Sequence, residues 1–192
     1  SGSFEDIDVP PTLVSFAVTT DKLNNMISPE LKKVGNKLVC MTPDFDENGL
    51  PKTESLMAVF DRVTQLMRSG KAVACYTPGI GGVAEAGMKM AFGNGFGVRF
   101  DDEITVETLF DYRYASFVLE VAEDVDDVVT IGVITDDGRF TLNHESVELA
   151  DLLDIYENKL ESVFSCNIPE SKSEMRNFSY ESKARKAPAI RV

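Results

Sequence analysis

The stretch from Ala72 to Phe92 constrains this chain more than any other. Ala72–Tyr76 is a short apolar run, long enough for one buried strand. Pro78, Gly79, Gly81 and Gly82 then break any regular element. After them, Val83, Ala84, Gly87, Met88 and Ala91 fall on one helical stripe, and Gly93 to Gly97 ends it. A strand passing through a tight glycine turn into a helix predicts an α/β layered domain. The turn itself has two readings. A helix N-terminus carries free N–H groups and a partial positive charge, and glycines let a phosphate approach that backbone closely. The same glycines also serve as a plain structural turn. The spacing fits neither GxGxxG nor the Walker A pattern.

Around this unit the pattern reads β-α-β-α-β-α-β-β-β-β-α. Thr12–Thr20 (TLVSFAVTT) follows Pro10-Pro11 and is rich in β-branched and aromatic residues, which predicts a strand. A short helix is expected over Asp21–Leu31 with Asp21 as N-cap. Lys37–Met41 reads as a strand. Thr53–Ser69 reads as a helix that ends at Gly70, with Leu56, Phe60, Val63 and Met67 on one face. Strands are expected at Gly97–Phe100, Tyr114–Ala122 and Val128–Thr135, and a helical turn at Val106–Phe110. Asp136-Asp137-Gly138 predicts a hairpin into Arg139–Leu142. Ser146–Phe164 predicts one long amphipathic helix capped by Ser146. Residues 167–192 lose the periodicity and read as an extended tail or linker, so the domain is drawn at 1–166.

The 192 residues suffice for one domain, and 43% of them are apolar, enough for a core. Lys and Arg number 19 against 32 Asp and Glu, for a net charge of −13. That balance argues against nucleic acid and anionic membrane as partners, because phosphate contacts need clustered cations. No apolar run is long enough to span a membrane. Cys40, Cys75 and Cys166 form no CxxC pair and the sole histidine is His144, so no zinc site is expected, and a reducing cytoplasmic location fits. Asp44–Gly49 imitates the start of a calcium loop, but Ser55 stands where a bidentate Glu belongs, so a polar surface loop is expected. The acidic clusters at 101–103 and 123–127 read as solvated loops, and His144 as a surface residue.

The sequence GGVAEAGMKMAFGNGFG after an apolar strand resembles the C-terminal half-domain of the AIR synthase superfamily. More closely, the chain resembles the large single-chain phosphoribosylformylglycinamidine (FGAM) synthases. Ser1-Gly2-Ser3-Phe4 with Val9-Pro10-Pro11-Thr12-Leu13 looks like the family segment that follows a Lys-Asp-Ser-Met sequence. Ala187-Pro188 with Ile190-Arg191-Val192 looks like the entry to the family's glutaminase domain. The resemblance implies the second AIR synthase-like C-terminal domain, a layered mixed sheet with packed helices and partly ferredoxin-like topology. It implies a ligase of purine biosynthesis that uses ATP and Mg²⁺ to join FGAR and glutamine-derived ammonia into FGAM. It implies as partners the AIR synthase-like N-terminal domains and the glutaminase domain of the same chain, with no activity for this domain alone. Its nucleotide or phosphate contacts would fall on Thr77, Gly79, Gly81 and Gly82. Many members carry Asp-x-Ser-Asp-Gly-Gly where this chain has Thr77-Pro78-Gly79-Ile80-Gly81-Gly82. Thr77 is a poor replacement for a carboxylate metal ligand. The loop therefore also fits a degenerate, structural copy of a nucleotide site, with no metal ligand and no catalytic residue assigned in the chain.

Overall fold

The computed structural model describes residues 2–4, 6–165 and 179. Two short strands, β1 (Gly2–Phe4) and β2 (Ile7–Val9), form an antiparallel pair of their own. The main body runs β3 (Lys37–Met41), α1 (Thr53–Arg68), β4 (Ala72–Tyr76), α2 (Gly82–Phe92), β5 (Gly97–Phe100) and α3 (Val106–Phe110). It continues with β6 (Phe117–Val121), β7 (Val129–Thr135), β8 (Arg139–Leu142), β9 (Glu145–Glu148) and α4 (Leu149–Asn158). Seven strands make one mixed sheet in the order β4-β6-β3-β7-β5-β8-β9. β6 lies antiparallel between β3 and β4, so β3-α1-β4 is a βαβ unit split by a third strand.

Both faces of the sheet are covered, which is why its central strands read as continuous apolar runs. Along β3, Leu38 and Cys40 join the cluster under α2 and α3, with Ala86, Met90, Val98, Val118 and Ile134. Val39 and Met41 join the opposite cluster with Val59, Val63 and Leu66 of α1. On β4, Ala72 and Ala74 serve opposite clusters although two residues apart, because the ladder to β6 slips between them. Helix α1 buries Val59, Val63 and Leu66; Phe60, placed on the apolar face from sequence, is 39% exposed and meets Phe117 edge-on. Gly70 follows the helix end with φ 75°, the left-handed position that stops a helix.

Four sequence expectations are corrected. Thr12–Thr20 forms no strand: every residue of the stretch is exposed, and it pairs with neither edge strand of the sheet, β4 or β9. Asp21–Leu31 holds only a 3-10 turn at Leu23–Asn25, and Asp21 binds the Lys22 N–H and the Asn25 side chain instead of capping a helix. Asp136-Asp137-Gly138 does reverse the chain, but β7 and β8 are not neighbours. β5 lies between them, and Gly97 at its start makes room: a Cβ there would strike Thr135, Asp137 and Arg139. Ser146 belongs to strand β9, paired to β8 across a tight turn in which Asn143 adopts φ 54°. The helix begins only at Leu149.

Two compact units are distinguished, Ser1–Tyr156 and Glu157–Val192. Within the second, the Phe164 N–H donates to the Leu160 carbonyl, and Ser165 Oγ donates to the Glu161 carboxylate. The tail expected over 167–192 lies outside the described residues, apart from Ser179. Among the described residues no helix is long and apolar enough to cross a membrane.

Cys40 and Cys75 are free thiols. Burial pushes both up, Cys75 to about 11. At pH 8 only roughly one Cys75 thiol in a thousand is ionised. Neither is expected to react with a thiol-exchange reagent at pH 8 within minutes in the folded chain, while both react at once in urea. Prompt labelling of folded Cys75 would overturn that assignment. Cys166 lies outside the described residues.

Candidate functional site

The glycine turn joins β4 to α2 through local hydrogen bonds. The Gly82 N–H donates to the Gly79 carbonyl at 3.1 Å, closing the turn over Gly79–Gly82. Thr77 and Ile80 are exposed, Gly79 and Gly81 half-buried, and Gly82 buried. Gly82 adopts φ 66°, and its missing side chain lets the backbone sit against the carbonyls of Leu109 and Asp111 at the end of α3. The four predicted positions thus form one loop at the N-terminus of α2, and the first-turn N–H groups of that helix have no intrahelical acceptor.

The carboxylate of Glu85 reaches into this cradle. Its Oε2 accepts from the N–H of the N-cap residue Gly81 at 2.8 Å, which satisfies one free donor of the helix start. A Cβ on Gly79 would lie 3.0 Å from that oxygen, and one on Gly81 would lie 2.7 Å from Glu85 Cβ. Lys89, one helical turn on, donates to Glu85 Oε1 at 2.6 Å. Its Nζ stands 5.9 Å from the Tyr76 ring centre and 5.7 Å from that of Tyr156, within cation–π reach of both. The sequence reading missed this pair. Its signal was there: an acid in the first turn of a helix, followed four residues later by a lysine.

The hydrogen bond from Lys89, and then that from Gly81, hold the Glu85 carboxyl below its ordinary 4.5, and the Glu85 bond holds the Lys89 ammonium above its ordinary 10.5. A lowered acid contributes stability that is present above 4.5 and is lost as pH falls through the folded value; a raised base contributes below 10.5 and loses it as pH rises. Glu85→Gln is expected to lower stability by about 1 kcal/mol near pH 7. The deficit should shrink as pH drops below 4.5, read by urea melts of both proteins. A deficit that stays constant down to acid pH would remove the ion pair as its cause.

A cavity of about 440 Å³ opens beside Gly81 and Glu85, walled by Met88, Leu109, Phe110, Phe140 and Val147. Its mostly apolar walls can take a flat or aliphatic group, with the carboxyl groups of Glu85 and Glu145 also in the lining. His144 is exposed. Asp46 holds its loop as a turn, accepting from the N–H groups of Asn48 and Leu50 at 2.9 Å. No cluster of three or more His, Cys, Asp or Glu that could hold a metal ion occurs among the described residues. Within the glycine turn, the Gly81 N–H is taken by the Glu85 carboxylate and the Gly82 N–H by the Gly79 carbonyl.

The mixed sheet and its packed helices share the fold of solved PurL structures. No protein-family model matches the sequence. Among solved structures, Thermotoga maritima PurL complexed with FGAR matches with a TM-score of 0.55 at 9% identity, over 85% of this chain and 33% of that one. Thermotoga maritima phosphoribosylformylglycinamidine synthase II gives 0.56 at 8% identity, over 82% and 31%. PurLQS from the same organism gives 0.56 at 9% identity, over 67% and 28%. The likeness is one of fold, and the chain spans a third or less of the length of these proteins.

Proposed function

We propose that this chain is an AIR synthase-like domain of an FGAM synthase, acting in the ATP-dependent joining of FGAR and ammonia only as part of a longer enzyme. The observation that carries the reading is the glycine strand–turn–helix at 77–82, set within a fold shared with PurL structures that contain FGAR, ADP or ATP. In this reading the loop of Thr77, Gly79, Gly81 and Gly82 forms one wall of a cleft completed by sister domains. ATP and Mg²⁺ serve the whole enzyme. The chain alone makes no FGAM.

A second reading is favoured by Glu85. Its carboxylate occupies the position an anion would take, so the loop also fits a degenerate nucleotide site in a domain whose role is to pack against its sisters. Calorimetric titration of Mg-ADP into the isolated chain and into the longer enzyme separates the two. Saturable heat in either, lost in Gly81→Val, supports a loop that still takes phosphate. No heat from the isolated chain, together with Gly81→Val leaving Mg-ADP binding by the longer enzyme unchanged, supports the structural reading. FGAM formed by the isolated chain would overturn both.

A further inference from the structure

We propose that Leu13–Val18 is an interior strand of a β-sheet that belongs to another domain of the enzyme, inserted so that both its edges and both its faces are covered. The inference rests on the preceding reading of the chain as part of a longer FGAM synthase. Leu13 is 93% exposed, Val14 77%, Phe16 86% and Val18 84%, and these four fall within six residues. None of the main-chain groups of residues 13–20 is hydrogen-bonded to another element among the described residues. The seven-stranded sheet does not take the segment up: its order closes with β4 at one side and β9 at the other.

The composition specifies the partner. As a strand, Leu13–Val18 would put Val14, Phe16 and Val18 on one face and Leu13, Ser15 and Ala17 on the other, with no charge on either, a composition closer to a strand covered on both faces than to one with a wet face. From Val9 to Thr20 there is no charged residue, in a chain whose net charge is −13. Edge strands are guarded by charges, and this one has none. A second copy of the chain pairing through the same segment would offer one edge and no covering layer, which leaves two apolar faces wet. A complete sheet with an open slot satisfies all four sides. The solved structures of this fold are about three times as long as the stretch that this chain spans, so such a fold occurs with further chain around it.

The test compares Phe16→Asp in the 192-residue chain and in the longer enzyme, with hydrogen exchange of the wild-type amides in both. In the isolated chain the substitution should leave the melting temperature within about 1 °C, because an exposed side chain away from caps and cores contributes little, and the amides of 13–18 should exchange freely. In the longer enzyme those amides should be protected at least about a hundredfold, and Phe16→Asp should lower the melting temperature by about 5 °C or more. Free exchange of 13–18 in an active longer enzyme overturns the strand and spares the function. Protection that arises in the isolated chain with rising concentration, together with a doubled mass in light scattering, overturns it in favour of self-pairing. Protected amides in a longer enzyme that makes no FGAM would support the strand and overturn the function.

Discussion

Gly82→Ala is expected to be the most damaging small change in the glycine loop, costing about 3 kcal/mol or more and lowering the melting temperature by about 6–12 °C. Two penalties combine. The residue sits at φ 66°. In that left-handed region an L side chain costs roughly 1–2 kcal/mol. Its Cβ would also lie 2.5 Å from the Leu109 carbonyl oxygen, 2.7 Å from that of Asp111 and 3.0 Å from the Phe110 carbonyl carbon. These are backbone atoms that cannot swing aside, so α3 would have to part from α2. Gly70 supplies the control: it has φ 75°, but nothing lies within 4 Å of where its Cβ would stand. Gly70→Ala should therefore cost about 1 kcal/mol, the conformational penalty alone. Thermal melts of the two variants side by side decide the matter. Equal shifts would mean that the loop is not seated on the end of α3.

Much of this was legible in the sequence because local chemistry fixes it. The strands at Lys37–Met41, Ala72–Tyr76 and Gly97–Phe100, and the helical turn at Val106–Phe110, lie where their apolar runs and glycine stops put them. What was not legible depends on neighbours. Strand adjacency cannot be read from a turn: Asp136-Asp137-Gly138 marks the reversal, but the insertion of β5 is decided by Gly97, far upstream. Leu149, Leu153 and Tyr156 keep a helical period and Ser146 stands where a cap would, yet strand pairing of Thr141 with Ser146 prevails there. Thr12–Thr20 has the propensity of a strand and, among the described residues, no partner to express it with. In the candidate site, the glycines announced the turn, and Glu85 was marked as a first-turn acid four residues before Lys89, while its return onto the Gly81 N–H depends on the turn geometry that only the fold sets.

Glu120 is the residue whose importance the sequence concealed most, and Glu120→Ala is expected to cost about 3–5 kcal/mol. In Phe-Val-Leu-Glu-Val an acid interrupts a buried strand, and a carboxylate with no exposed surface survives only if its oxygens are satisfied. They are: Oε2 accepts from the Lys32 N–H at 2.6 Å, and Oε1 accepts from the Lys33 N–H at 3.0 Å and the Asn36 amide at 2.6 Å. The acid thus replaces a strand partner for the loop before β3. That loop matters to α2, because the buried Leu31 donates its N–H to the Met90 carbonyl and accepts from the Asn94 side chain. Alanine would strand three donors at once. Glutamine keeps the shape but turns an NH₂ toward the Lys32 N–H, or toward those of Lys33 and Asn36, so it should cost about 2 kcal/mol and not restore the wild type. Ser116, equally buried, donates one hydrogen bond to Thr42 Oγ1 at 3.1 Å. Ser116→Ala should cost only about 1 kcal/mol. Hydrogen exchange locates the damage: the Lys32 and Lys33 amides should lose protection in Glu120→Ala well before those of β6, whose ladder to β3 is intact. Were the amides of 32–33 unchanged while the whole domain weakened evenly, the carboxylate would be a packing element of the strand and not the anchor of the loop.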